Sequence, residues 1–192
     1  MKKSIENYIK DSIAAKEELL KSQVVNIESA AKAIIESLKA GKKLLVFGNG
    51  GSASDSQHIA AELVGRFKME RKALPAIALT ANTSVLTAIA NDYGYDAVFS
   101  RQIEALGVQG DVALGLSTSG NSKNVIKALR CARSIGMKTI ALLGGDGGSM
   151  KKEADISIIV ASGDTPRVQE SHIMIAHIIC ALVEDGMFSR KL

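Results

Sequence analysis

From Ile5 to about Leu38 apolar residues recur at helical spacing, with a break near Ser22 and Gln23 and a stop at Gly41. This pattern predicts two helices or one kinked arm. Short apolar runs of strand length follow at 43–47, 76–79, 112–116, 139–143 and 156–160, each bounded by Gly, Ser, Asn or Asp. Between them, helical patterns cover about 54–70, 84–91 and 122–134, and a last one covers 166–187. Thr165 is its expected N-cap, with Pro166 at the first helical position. Strand and helix alternate, so the chain reads as α/β, with a parallel sheet covered by helices on both faces. No internal repeat, low-complexity tract or linker interrupts it, which suits one domain over 1–192 with a helical arm at 1–40.

Composition narrows the function classes. Apolar residues make up 46% of the 192 and charged residues 23%, enough for a buried core. The net charge of +4 is spread along the chain, which suits an anionic small molecule at least as well as nucleic acid. Aromatics are only 4% and Trp is absent, so platforms for base stacking and belts for a membrane interface are both disfavoured. Cys131 and Cys180 stand far apart with no metal-ligand spacing around either, and read as small core residues. The N-terminus lacks an apolar stretch of signal-peptide length, and the uncharged window 171–183 is too short to span a bilayer. A cytoplasmic protein is expected.

In open parallel sheets ligands sit beyond the carboxyl ends of the strands. Two turns there are rich in small and hydroxyl residues: Gly48-Asn49-Gly50-Gly51-Ser52-Ala53-Ser54-Asp55 after the first strand, and Ser117-Thr118-Ser119-Gly120-Asn121-Ser122 after the third. Each alone could be a plain strand-to-helix turn. Together they suit a phosphate held by backbone N–H groups, hydroxyls and the positive end of a helix dipole. The first loop also fits G-x-G-x-x-G/A through Gly48, Gly50 and Ala53, but no acidic residue follows the second strand to hold a ribose. A Walker lysine is missing too, so nucleotides are disfavoured.

His58 and Glu62 are four apart on the helix leaving the first loop and share a face. They read either as a surface pair or as an acid, base or metal ligand near the phosphate. Asp55 reads as a first-turn carboxylate favouring the dipole. On the last helix, at about 100° per residue, Glu170 and His177 are about 20° apart, Gln169 and His177 about 80°, and His172 and His177 about 140°. The two histidines therefore cannot serve one site. His177 lies in an apolar setting that suits a hydrogen-bonded core residue, and Gln169 is about 12 Å from it along the axis. One metal could take both only between long side chains, or with another chain completing the set. Asn91-Asp92-Tyr93-Gly94 reads as a helix-closing turn that could also present polar groups to sugar hydroxyls, and Arg66 as a solvated residue or a phosphate clamp.

The segments Gly48–Ser52 with His58 and Glu62, Ala90–Gly94, Gly115–Ser122, and Gln169-Glu170-Ser171-His172 with His177 closely resemble the phosphoheptose isomerases of the sugar-isomerase (SIS) superfamily. The likeness covers nearly the whole chain. It implies a three-layer SIS-type fold with a five-stranded parallel sheet, a homotetramer using the arm, and active sites at subunit interfaces. The implied reaction turns sedoheptulose 7-phosphate into D-glycero-D-manno-heptopyranose 7-phosphate, the first step toward nucleotide-activated heptoses of lipopolysaccharide core or other surface glycans. By the family's pattern Ser117, Thr118, Ser119 and Ser122 hold the phosphate, while Asn49, Gly50, Gly51, Asn91 and Asp92 contact the rest of the sugar. Glu62 and His177 form the acid–base pair, and His58, Glu62, Gln169 and His177 look like the ligands of one Zn²⁺ per subunit. A non-catalytic SIS adaptor of the replication-initiation type, and an isomerase of another sugar phosphate, are the rival readings.

Overall fold

The computed structural model describes residues 1–189; the last three positions of the expected 1–192 domain lie outside the described residues. Two arm helices, α1 (Lys2–Ser22) and α2 (Val24–Lys39), meet at Gln23, where the sequence places the break. Gly41 follows with φ +71°, a left-handed stop after the helix end. The strands are β1 (Leu44–Gly48), β2 (Ala76–Ala78), β3 (Val112–Ser117), β4 (Lys138–Gly144) and β5 (Ile156–Val160). All pair in parallel in the order β2-β1-β3-β4-β5. The helices between them are α3 (Gly51–Val64), α4 (Thr83–Tyr93), α5 (Ser100–Leu106) and α6 (Lys123–Ser134), and α7 (Thr165–Phe188) closes the described chain.

Every residue of β1 and β3 is buried, as a sheet covered on both faces requires. One core fills the face under α2, α3 and α7, around Ile34, Leu44, Leu63, Leu114, Ile140 and Ile175. The other lies under α5 and α6, around Phe47, Phe99, Leu129 and Leu143. Phe47 and Phe99 stack there at 5.5 Å, and truncating either to Ala would destabilise by about 3–5 kcal/mol. Helix α7 has the length and apolar composition to cross a bilayer, yet its Val168, Ile175, Ile179 and Val183 are buried against the sheet and its neighbouring helices.

Three local expectations shift. Helix α3 runs 51–64 rather than 54–70, because Gly50 at φ +56° caps it directly and Gly65 ends it. Asp55 consequently sits in the second turn, and Arg66 lies beyond the helix, exposed beside Glu70. The N-cap of α7 is Asp164, one residue earlier than Thr165. Helix α5 has no counterpart in the sequence reading; it is about two turns long, and its apolar spacing is too brief to register.

The strand order reverses between β1 and β3, with Gly48 level with Leu116. In open parallel sheets ligands sit at such a switch point beyond the carboxyl ends of the strands, and the two small-residue loops leave β1 and β3 there.

Candidate active site

The loop after β3 is a hydroxyl cradle. Ser117 Oγ lies 2.8 Å from Ser122 Oγ and 3.4 Å from Ser119 Oγ, with Thr118 between them in the chain. Ser122 is the N-cap of α6 but makes no side-chain cap, having turned its hydroxyl toward Ser117. The Lys123 and Asn124 N–H groups at the start of the helix thus remain available to an anion, while that of Val125 is taken by Asn124 Oδ1. Gly120 has φ +64°, and a Cβ there would run into the backbone of Gly147. The loop is braced from outside: Met150 N–H donates to Gly120 O at 2.9 Å, and Ser149 N–H to Asn121 Oδ1 at 3.0 Å.

The loop after β1 stands beside it. Asn49 pairs its carboxamide with that of Asn124 through two contacts of 2.9 Å, and Tyr95 O–H donates to Asn49 Oδ1 at 3.3 Å. The Gln169 amide rests on Gly51, where a Cβ would push that side chain aside. Asn91 and Asp92 sit exposed at the end of α4, bonded to each other at 2.8 Å, four and three residues before Tyr95.

Farther along α3 is a second cluster. His58 Nε2 lies 2.9 Å from Glu62 Oε1 and 3.3 Å from His177 Nε2, and the ligand atoms of all three fall within 4.8 Å of one another. One ring nitrogen holds either a hydrogen or a lone pair, so His58 Nε2 cannot donate to Glu62 and also accept from His177. Three ligand atoms, two imidazole nitrogens and a carboxylate oxygen, converging within 4.8 Å form a donor set suited to a borderline cation. The His58 side chain is 45% exposed and that of Glu62 25%, so the cluster opens to the surface. His177 is half-buried, not the core residue its apolar setting suggested, and it faces Phe67 with ring centroids 5.5 Å apart. Burial raises the Asp55 carboxyl above its ordinary value, with His58 pulling it partly back.

Phe67 is held by a buried clamp that the sequence did not announce. Glu184, on α7, accepts backbone N–H groups from Phe67, Lys68 and Met69 at 2.9, 2.8 and 3.1 Å and pairs with Arg71 at 2.9 Å. Burial alone would raise the Glu184 carboxyl; these donors outweigh it and hold the group below its ordinary value. His172, on the opposite side of α7, is buried with Nε2 3.1 Å from Leu143 O, and desolvation, opposed by that contact, lowers it to about 4. It is a core residue, and it does not share the site of His177, from which the helical wheel separates it. Cys180 is buried, and burial with nearby Glu62 and Glu184 pushes its thiol up to about 12.

The structure thus joins three of the four expected metal ligands. Gln169 instead rests on Gly51, about 10 Å along α3 from His58 by helix rise. Asn124, Tyr95 and Phe67 were missed, since an Asn in a helix's first turn or one Phe among four carries no positional signal.

A parallel sheet with a hydroxyl-lined loop at its switch point and a donor cluster on the adjoining helix is the arrangement of a SIS protein. Residues 7–144 match the SIS domain family, and the chain belongs to it. Within that family it groups with phosphoheptose isomerases. It is 56% identical to that of Clostridium acetobutylicum over 100% of this chain and 98% of the relative. It is 63% identical over 162 residues to that of Citrifermentans bemidjiense, 84% of each chain. The solved phosphoheptose isomerase of Neisseria gonorrhoeae superposes with a TM-score of 0.91 at 43% identity, covering 96% of this chain and 98% of that one.

Proposed function

We propose that the chain isomerises sedoheptulose 7-phosphate to D-glycero-D-manno-heptopyranose 7-phosphate, opening the route to nucleotide-activated heptoses. The observation that carries this reading is the convergence of His58, Glu62 and His177, in a chain 56% identical over its full length to a phosphoheptose isomerase. The adaptor reading accounts for the cradle but not for that cluster.

Moving a carbonyl between C1 and C2 needs a base for the carbon-bound proton and a partner that shuttles protons between the enediol oxygens. Glu62 is the base and His177 the partner. Ser117, Thr118, Ser119 and Ser122 bind the phosphate, with the α6 dipole behind them. Asn49, Gly50, Gly51, Asn91, Asp92 and Gln169 orient the sugar chain. The His58, Glu62 and His177 donors fit Zn²⁺; Gln169 rests on Gly51 within this chain and would complete the set as fourth ligand from a neighbouring subunit. When bound, the ion supplies Lewis acidity toward the substrate's oxygens.

The working form is a cytoplasmic homotetramer with shared sites. By helix rise Glu62 stands about 16 Å along α3 from Gly51 at the cradle end, a long reach for one seven-carbon sugar phosphate. A neighbouring subunit supplying either half removes that gap, and would bring a second Gln169 within reach of the ion. Ile5, Ile9 and Ile13 of the arm and Ile178 and Leu182 of α7 are exposed apolar residues that such contacts would cover.

Turnover of sedoheptulose 7-phosphate, after chelation and again after adding Zn²⁺, tests the reaction and the metal together. Folded protein inactive in both states would overturn the isomerase. Mixing inactive Glu62→Gln with a cradle-defective variant tests the shared site: activity recovered in mixed oligomers is expected, and none recovered would place both halves within one chain.

A further inference from the structure

Asn124 is 97% buried in the first turn of α6, yet its carboxamide faces out of the sheet onto Asn49 of the other loop. Its orientation is set by the backbone: Val125 N–H donates to Asn124 Oδ1 at 2.9 Å, so that oxygen lies toward the helix turn and also accepts Asn49 Nδ2–H at 2.9 Å. The remaining pair follows by elimination, Asn124 Nδ2–H donating to Asn49 Oδ1 at 2.9 Å. Tyr95 O–H takes the second lone pair of that oxygen at 3.3 Å. A carboxamide has two N–H donors and an oxygen with two lone pairs. With its oxygen doubly engaged and one N–H on Asn124, Asn49 has a single group left to offer, the second Nδ2–H.

The geometry points to Asn124 as a positioning residue that locks Asn49 as a hydrogen-bond donor toward the sugar chain, and so ties the sugar loop to the helix that carries the phosphate cradle. This rests on the reading above that Asn49 contacts the sugar. The matching substrate group is an acceptor, a carbonyl or hydroxyl oxygen between phosphate and reacting carbons. Without Asn124 the Asn49 amide keeps only the exposed 3.3 Å contact with the Tyr95 hydroxyl, which can accept as well as donate. The amide can then turn and present its oxygen, opposing a carbonyl acceptor rather than binding it.

The test is a double-mutant cycle of Asn49→Ala and Asn124→Leu, a swap of similar shape, read as kcat/KM for sedoheptulose 7-phosphate and as competitive inhibition by inorganic phosphate. Each single variant is expected to lower kcat/KM on the order of tenfold, with the double variant no worse than either, and phosphate inhibition unmoved. Additive losses, or phosphate inhibition weakening in step with kcat/KM, would overturn the inference, since Asn124 would then be holding only its own loop. An unaffected Asn49→Ala would instead sink the sugar-contact reading and the inference with it. Should Asn124→Leu fail to fold, Asn124→Ser, which keeps a hydroxyl near Val125 but gives up the paired amide, carries the same cycle and the same outcomes.

Discussion

The cradle and the cluster are built by opposite strategies. The cradle is one stretch of six residues closing on itself after β3, its hydroxyls in mutual contact and its backbone braced by the 147–150 turn. The cluster draws two residues from α3 and one from α7, more than a hundred positions apart, and is partly open to solvent. Its order depends on a third region, the Glu184–Arg71 clamp that seats Phe67 against His177. A site for a constant group, phosphate, can be local and rigid; a site that must exchange protons and ligands needs groups from several elements and access from outside.

This contrast can be broken first at the cluster. Glu62→Gln should lower turnover by about 10³-fold, within the range for a positioned general base, and leave phosphate inhibition unchanged. A variant keeping a tenth or more of its activity would remove Glu62 from that role. Glu184→Ala leaves the Arg71 guanidinium buried without its partner, both side chains being at most 2% exposed. Urea unfolding should show a loss of about 3 kcal/mol or more, with turnover reduced as Phe67 is released. Unchanged stability would mean the clamp is replaceable by water.

The fold behind the cluster has a pH signature of its own. His172 falls from an ordinary 6.5 to about 4 in the folded protein, so between those values the unfolded chain takes up a proton that the folded chain refuses. Stability present above pH 6.5 is therefore lost as pH falls toward 4, by about 3 kcal/mol at most. The contribution of Glu184 goes in the same direction but only below 4.5. His172→Gln should flatten the stability profile between pH 6.5 and 4.5; an unchanged slope would assign it to other groups. The smallest effect belongs to the cradle. Ser122→Ala removes one hydroxyl of several and should weaken phosphate inhibition by about 1 kcal/mol, read from inhibition constants. A weakening of phosphate inhibition by about a hundredfold or more would show the cradle to be as unforgiving as the cluster.

Most of the architecture was legible from spacing. Short apolar runs of strand length located five strands, and the Gly-rich and Ser-rich turns after the first and third marked the two loops that meet at the switch point. What escaped were features without a local signature. Helix α5 is too short for its periodicity to stand out, and the start of α3 was placed late because Gly51 and Ser52 read as loop when a positive-φ Gly50 in fact opens the helix there. The expected four-ligand set was legible only through family resemblance, and in the chain Gln169 packs on Gly51 rather than beside His177.

By itself the sequence determined the parallel α/β class, the hydroxyl loop and the shared face of His58 and Glu62, because each follows from neighbours within a few positions: strand period, turn chemistry, helical rise. Only the tertiary structure decided that His177 leaves the core to meet His58, that Glu184 gathers three backbone donors and an arginine, and that Asn124 sets the face of Asn49. Those depend on how α3, α6 and α7 are seated on the sheet, and packing joins residues whose separation along the chain carries no trace of the contact.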